Sequence, residues 1–196
     1  AAQTPQQLQR INAWYHDASA IRQAMLAGVQ LLQQKLGRLS HEAQSDPLTG
    51  LANRRAMEEL LSVLEQTQQP YTVLALDIDH FKLVNDTYGH QIGDRVLIEL
   101  VTILHNHVRD GDVVGRWGGE EFLIILPNTT LADATVLAER LRQAVANYAF
   151  STAGRVTISL GVSAFATDNS PESIVSRADT ALYLAKEKGR NRVEVK

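Results

Sequence analysis

Residues 113–126 read VVGRWGGEEFLIIL, and the fold can be worked out from this stretch. Two apolar runs flank Gly118-Gly119, and Gly-Gly between strand-like runs predicts a β-hairpin with a two-residue turn of positive φ. Two glutamates, Glu120 and Glu121, follow at once on the returning strand. A hairpin needs the glycines but not two adjacent carboxylates that repel each other, so the acids indicate a site.

The composition is that of an ordinary globular protein. The chain has 196 residues, of which 44% are hydrophobic and 21% charged, enough for one full domain plus an appendage. A net charge of −3 gives no reason to expect nucleic-acid binding. The absence of cysteine excludes disulfides and cysteine-ligated zinc. No apolar run approaches the roughly 18–20 residues that span a bilayer.

Residues 1–44 differ from the rest of the chain. Their apolar positions follow 3-4 spacing, interrupted once by Arg22, which predicts a left-handed coiled coil. An amphipathic helix packed on the main domain is the alternative. We therefore expect a dimerising signalling helix over 1–44 and a separate domain over 45–196. The seam positions are Leu8, Ile11, Tyr15, Ala18, Met25, Val29, Leu32, Leu36, Leu39 and Ala43.

From residue 45 onward, strand and helix patterns alternate, and the hairpin supplies an antiparallel pair. This predicts an α/β fold with a mixed, mainly antiparallel central sheet of about five strands surrounded by helices. The predicted strands are 71–79, the hairpin over 112–126, 155–165 and an edge strand near 191–195. The predicted helices run from an Asn53 cap to about 65, over 92–108, over 131–147, and from a Ser170 cap to about 188.

Acidic residues end the 71–79 strand. Asp77 and Asp79 share one face because strand side chains alternate with period 2. If this strand lies beside the hairpin, Asp77 and the two glutamates converge, and oxygen ligands without Cys or a His cluster suit Mg²⁺ or Mn²⁺. Taken alone, the strand-end aspartates are better explained as residues that face water in a turn; together with Glu120 and Glu121, the cation site is favoured.

A cation held by carboxylates usually shares its shell with phosphates, yet no Walker A loop is present. Lys82, Lys186 and Arg190 are candidate phosphate contacts, the last two at i, i+4 on one predicted helical face; the alternative is that they complement the helix dipole. Asn85 and Asp94 could select guanine, because Asp accepts from its N1–H and exocyclic amine. A turn residue and a helix cap would have the same spacing.

The motifs together resemble the GGDEF-domain diguanylate cyclases, here with a GGEEF signature over Gly118–Phe122. The resemblance extends over about 150 residues in five blocks in the family's order. The blocks are DPLTGLANRR (46–55), DIDHFKLVNDTYGHQIGD (77–94), RWGGEEF (116–122), TISLGVS (157–163) and ADTALYLAKEKGRNRV (178–193). The first 44 residues resemble only the signalling helices that often precede such domains.

This resemblance implies a metal-dependent cyclase that condenses two GTP into cyclic di-GMP across a homodimer. It implies two Mg²⁺ or Mn²⁺ per active half-site, on Asp77, the Ile78 carbonyl, Glu121 and Glu120, with Glu120 either a metal ligand or the base. It implies guanine recognition by Asn85 and Asp94, phosphate contacts by Lys82, Lys186 and Arg190, and close nucleotide approach at Gly118 and Gly119.

The resemblance also implies a site for feedback inhibition. Arg109 and Asp112 form an R-x-x-D motif five residues before the glycine pair, with Arg140 as a secondary arginine. A surface ion pair is the alternative explanation. The alternative function is a non-catalytic cyclic di-GMP receptor that signals through the N-terminal helix, and a cyclase making mixed dinucleotides is a third. We expect a cytoplasmic location. This includes the case in which the chain is the cytoplasmic portion of a membrane-anchored protein, with an upstream sensor or membrane domain that is absent from this chain.

Overall fold

A computed structural model describes residues 44–165 and 171–196 of the protein. Within these ranges the strands are β1 (Ala52–Asn53), β2 (Tyr71–Ile78), β3 (Val113–Arg116), β4 (Glu121–Pro127), β5 (Ile158–Ala164) and β6 (Val193–Val195). The helices are α1 (Arg54–Gln66), α2 (Phe81–Tyr88), α3 (His90–His105), α4 (Leu131–Asn147) and α5 (Pro171–Glu187). No helix in these ranges is long and apolar enough to cross a membrane.

The strands form one mixed sheet in the order β1-β3-β4-β2-β5-β6. β2 is antiparallel to both β4 and β5, and β3 is antiparallel to β4. The two outer pairs, β1 with β3 and β5 with β6, are parallel. The predicted fold class is confirmed, with six strands instead of about five, because the two-residue β1 is too short to show an alternating pattern.

The central strand β2 is buried on both faces, which explains its almost continuous apolar sequence. Leu74, Leu76 and Ile78 belong to the core beneath α3 and α4. Val73 and Ala75 belong to a second core beneath α1 and α5. Side chains alternate along a strand, so Asp77 continues the second series and lies on the α1–α5 side of the sheet.

Several predicted elements are confirmed close to their predicted bounds. Asn53 caps α1 and accepts a hydrogen bond from the backbone N–H of Ala56 at 3.1 Å. α4 matches its predicted range, and α5 ends at Glu187. The coiled-coil prediction for the N-terminal segment and the Ser170 cap lie outside the described residues.

One helix escaped the sequence analysis. α2 lies where the sequence analysis assigned no element. α3 was predicted over 92–108, but it begins two residues earlier, at His90, and ends three residues earlier, at His105. Left-handed backbone at His80 (φ 56°) and Gly89 (φ 83°) bounds α2 on both sides. Its eight residues include aromatic and β-branched side chains of low helix propensity, so tertiary packing of Phe81 stabilises it more than local preference does.

Candidate active site

The connection between β3 and β4 has four residues, 117–120, so the predicted two-residue turn is wrong. The backbone N–H groups of Trp117 and Gly118 donate to the Glu121 carbonyl at 2.8 and 3.2 Å. Neither Gly118 nor Gly119 has positive φ. Gly118 matters for another reason: a Cβ there would lie 2.6 Å from Glu121 Oε2, so a side chain at this position would force the Glu121 carboxylate to shift. A Cβ at Gly119 would meet nothing within 4 Å.

The structure places Asp77 beside the acidic residues of the hairpin, as predicted. Asp77 and Glu121 are directly opposite on β2 and β4, so their side chains leave the same face of the sheet. Asp77 is 5% exposed, and its Oδ2 forms an ion pair with Lys186 Nζ at 2.7 Å. Burial, opposed by Lys186 but reinforced by the charges of Glu120 and Glu121, raises the pKa of Asp77 to about 6.

Two further charged groups surround this cluster, and the sequence analysis assigned them no role. Asp179 lies on α5 two turns before Lys186, and Arg54 begins α1. Asp179 is exposed. Partial desolvation and the charge of Glu121 nevertheless raise its pKa, and the charges of Arg54 and Lys186 oppose this rise. The i, i+7 spacing of Asp179 and Lys186 on one helical face was the signal that could have found it.

Arg54 also links the cluster to the hairpin. Its guanidinium lies 4.7 Å from the centre of the Trp117 ring, a cation–π geometry. Its Nε forms an exposed ion pair with Glu58 at 2.9 Å. Arg54 therefore holds the start of α1 against the loop that precedes the two glutamates.

Arg116, the last residue of β3, holds the 117–120 connection in place through hydrogen bonds to its backbone. Its guanidinium donates to the carbonyls of Gly118 and Gly119, the shortest bond being 2.7 Å to Gly119. Its Nη1 also pairs with Asp46 at 3.1 Å, and both side chains are 16% exposed. Burial alone would raise the pKa of Asp46, but hydrogen bonds from Thr49 and Arg116 hold it below its usual value.

The guanine-binding candidates lie on two consecutive helices. Asn85 is on α2 and Asp94 on α3, and Gly89 separates the helices. The Asn85 side chain lies against Gly93, where a Cβ would collide with its Oδ1. Asn85 therefore lies beside the backbone of the residue preceding Asp94, and Asp94 is exposed to solvent. The structure thus places Asn85 and Asp94 near each other, as their predicted shared role requires.

The phosphate-contact candidates are only partly gathered. Lys186 contacts Asp77, whereas no hydrogen bond or ion pair within residues 44–165 and 171–196 joins Lys82 or Arg190 to the acidic cluster. The prediction that Lys186 and Arg190 share a helical face is wrong, because α5 ends at Glu187. Arg190 lies beyond the helix in left-handed backbone with φ 61°.

Asp79 has partners quite different from those of Asp77, although period 2 would place them together. β2 ends at Ile78, and the Asp79 carboxylate accepts from Thr157 Oγ1 at 2.6 Å and Ser159 Oγ at 2.7 Å. It also accepts from the backbone N–H of Asn191 at 3.0 Å. Asp79 is therefore engaged with β5 and the α5–β6 loop and is not a member of the acidic cluster.

The acidic cluster fits a hard divalent cation in its donor chemistry. Asp77, Glu120 and Glu121 supply only carboxylate oxygens, and their mutual repulsion is what a cation would relieve. The described residues contain no group of three or more His, Asp or Glu side chains already drawn close enough to hold an ion. Lys186 supplies a positive charge at Asp77, so a bound cation would have to replace this contact.

The R-x-x-D residues lie at a separate cavity of about 240 Å³. Arg109 Nε pairs with Asp112 Oδ1 at 3.2 Å, and Arg109 Nη2 donates to Pro127 O at 2.9 Å. Arg140, from α4, donates to the His107 carbonyl at 2.6 Å. The structure thus brings Arg109, Asp112 and Arg140 to the walls of one cavity, together with Thr129, Asp133 and Val136.

Comparison with known proteins agrees with this geometry. Residues 43–192 match the family model "Diguanylate cyclase, GGDEF domain". The chain is 43% identical over 159 residues to diguanylate cyclase DgcM of Escherichia coli K12, covering 79% of this chain and 39% of that protein. It is 48% identical over 161 residues to the response regulator PleD of Caulobacter vibrioides, covering 77% of this chain and 36% of PleD. The chain therefore spans less than half the length of these curated relatives.

Solved structures show the same fold. The coiled coil and GGDEF domain of DgcB from Caulobacter crescentus, crystallised with c-di-GMP, superposes with a TM-score of 0.84 at 32% identity. That match covers 91% of this chain and 99% of the DgcB chain. The active GGEEF domain of a Vibrio cholerae diguanylate cyclase gives a TM-score of 0.69 at 38% identity, covering 74% of this chain and 97% of that one. This chain belongs to the GGDEF family of diguanylate cyclase domains.

Proposed function

We propose that this chain joins two GTP molecules head to tail into cyclic di-GMP. Each ribose 3′-oxygen attacks the α-phosphorus of the GTP on a facing copy, the bond to the β-phosphate oxygen breaks, and two pyrophosphates leave. The observation that carries the proposal is the opposition of Asp77 and Glu121 beside the bare Gly118 backbone, in a chain of this family.

The acidic cluster would prepare the attacking hydroxyl. Glu120 ends the β3–β4 connection and Glu121 begins β4, and from there Glu120 can take the proton of a 3′-hydroxyl or serve as a ligand. Asp77, the Ile78 carbonyl and both glutamates would hold two Mg²⁺ or Mn²⁺ per active half-site. When bound, such ions supply neutralisation of the negative charge on the reacting phosphate.

Substrate recognition divides between two parts of the domain. Asn85 and Asp94 would read guanine from α2 and α3, since an adenine lacks the paired N–H donors that Asp94 would accept from. The cations would hold the phosphates. Arg190 and Lys82 would do so directly, and Lys186 after leaving Asp77.

Two copies must meet face to face, because one domain holds one GTP. We propose that residues 1–44 form a coiled coil that joins two copies of the catalytic domain, 45–196, and raises their effective concentration. The apolar seam in the sequence supports this, as does the family match that begins at residue 43. The DgcB structure, whose match covers 91% of this chain, also contains a coiled coil.

The cavity at Arg109 would bind the product and inhibit the enzyme. Arginines at its wall suit phosphate oxygens, and the Asp112 carboxylate suits guanine N–H donors. The same cavity favours a second candidate function, a cyclic di-GMP receptor without turnover. A domain that consumes GTP must face the compartment that supplies it, so we place it in the cytoplasm, with any sensor or membrane domain upstream.

One assay separates the candidate functions. The full chain is incubated with GTP and Mg²⁺, then with GTP plus ATP, and the products are resolved by chromatography. We expect cyclic di-GMP and pyrophosphate in a one-to-two ratio, and no mixed dinucleotide. Cyclic di-GMP binding without any turnover, even in a chain dimerised artificially, would favour the receptor and refute the cyclase. Mixed products would refute guanine selection by Asp94.

A further inference from the structure

The loop between α5 and β6 has an unusual backbone. Gly189, Arg190 and Asn191 have φ values of 113°, 61° and 45°, so three consecutive residues are left-handed and two of them are not glycine. Such backbone persists only where surrounding contacts over-determine it. This loop carries Arg190, the proposed phosphate contact. The contacts that hold the loop therefore also set the backbone position from which the Arg190 side chain extends.

Two side chains from outside the loop hold Asn191. The Asp79 carboxylate accepts from its backbone N–H at 3.0 Å, and Arg142 Nη1 of α4 donates to its Oδ1 at 2.8 Å. Asp79 is itself fixed, since it is 5% exposed and accepts hydroxyl bonds from Thr157 and Ser159. Asp79→Asn would remove the negative charge that these three donors share and would replace one acceptor oxygen by an NH₂ donor, so the Ser159 hydroxyl would have to turn from donor to acceptor.

Asp79 lies two residues beyond Asp77, at the end of the same strand. The strand end that presents the acidic cluster is therefore bonded directly to the loop that carries Arg190. We propose that Asp79 is a positioning residue that sets the Arg190 loop against the triphosphate of GTP. This inference rests on the proposed function, because it takes the phosphate role of Arg190 from there.

A merely structural Asp79 and a positioning Asp79 differ in ligand selectivity. The probes are 3′-deoxy-GTP, which lacks the attacking hydroxyl and so binds without turnover, and 3′-deoxyguanosine, which lacks the phosphates. Affinities are measured on the full chain by calorimetry. We expect Asp79→Asn to weaken 3′-deoxy-GTP binding by about tenfold or more and to leave 3′-deoxyguanosine unchanged, since the N–H of Asn191 loses its charged acceptor.

A double-mutant cycle tests whether Asp79 acts through Arg190. In an Arg190→Ala background, Asp79→Asn should weaken 3′-deoxy-GTP binding no further. Thr72→Val is the matched control, because it removes another buried hydroxyl bond of β2, from Thr72 to Thr129 O at 2.7 Å, far from the loop. It should lower thermal stability without changing either affinity. The inference would be overturned if Asp79→Asn weakened the binding of both probes by the same factor. It would also be overturned if the losses of 3′-deoxy-GTP affinity caused by Asp79→Asn and Arg190→Ala multiplied in the double variant.

A second variant covers the event that Asp79→Asn does not fold. Arg142→Gln removes the other tether of Asn191 from the partly exposed face of α4, and it should weaken 3′-deoxy-GTP selectively, by a smaller factor. Unchanged affinity in Arg142→Gln would then overturn the inference. If the variants lose 3′-deoxy-GTP affinity in this pattern but the wild-type chain makes no cyclic dinucleotide, the cyclase is refuted. The positioning role of Asp79 is then still supported.

Discussion

Asp77 on β2 and Glu121 on β4 lie directly opposite each other, on the face of the sheet that α1 and α5 cover. Both carboxylates are needed if they hold the same cations. We expect Asp77→Asn and Glu121→Gln each to lower the rate of cyclic di-GMP formation by at least ~100-fold, the loss typical when one charge-stabilising group is removed. Product chromatography measures the rate, and circular dichroism checks the fold.

The control for these two variants is Glu59→Gln, which neutralises a carboxylate on α1 that forms an exposed ion pair with Arg55 and accepts a hydrogen bond from Gln44. Its rate should stay within about twofold of wild type, because surface ion pairs contribute little. Calorimetry with Mn²⁺ provides a second readout, and both site variants should bind the ion more weakly. Asp77→Asn with normal turnover would refute the site assignment.

Gly118 and Gly119 should respond differently to alanine. A Cβ at residue 118 would push the Glu121 carboxylate from its place, whereas a Cβ at residue 119 enters open space. We expect Gly118→Ala to weaken Mn²⁺ binding even without nucleotide. Gly119→Ala should leave Mn²⁺ binding intact and weaken only 3′-deoxy-GTP, if the nucleotide approaches that backbone. Equal Mn²⁺ affinities in both variants would contradict the role assigned to Gly118.

The Asp46–Arg116 pair gives a pH-dependent prediction. The folded protein lowers the pKa of Asp46, so its contribution to stability is present above the ordinary value of 3.8 and is lost as the pH falls through the lowered value. Asp46→Asn should cost on the order of 1 kcal/mol between pH 5 and 8, discounted for partial exposure. Urea denaturation measures the difference, which should shrink below pH 4. A difference independent of pH down to pH 3 would count against the lowered pKa that Thr49 and Arg116 together give Asp46.

The sequence predicted the part of the site that obeys simple periodicity. Asp77 and Glu121 were found because a strand and a hairpin acid can be paired by pattern alone. Asp179 and Arg54 were missed because each looks like an ordinary surface charge until α1 and α5 are packed on one face of β2. Arg190 was placed on a helix because no pattern reveals the left-handed backbone that Asp79 and Arg142 stabilise.

The same limit explains the misjudged turn and the missed helix. Gly118-Gly119 suggested positive φ, yet what distinguishes Gly118 is that Glu121 Oε2 lies in the space that a Cβ would occupy. α2 is short and has poor intrinsic propensity, so its existence depends on tertiary packing of Phe81. The long helix α4 depends on local pattern, and its bounds were predicted correctly.

Feedback inhibition provides the last prediction. Both arginines are exposed, but Arg109 is held at the cavity wall by bonds to Asp112, Pro127 O and Thr129, whereas Arg140 reaches the cavity from α4 and donates to the His107 carbonyl. We expect Arg109→Ala to raise the cyclic di-GMP concentration that halves the rate by about tenfold or more, and Arg140→Ala to raise it less, because charge-assisted contacts to phosphate are lost in each. Initial rates without product should stay within about twofold of wild type, since neither arginine contacts the acidic cluster.

Arg155→Ala, at an exposed arginine outside the cavity, serves as the control and should leave inhibition unchanged. Unaltered inhibition in Arg109→Ala would show that the product acts elsewhere, whereas a fall in the initial rate without product would show that the two sites are coupled.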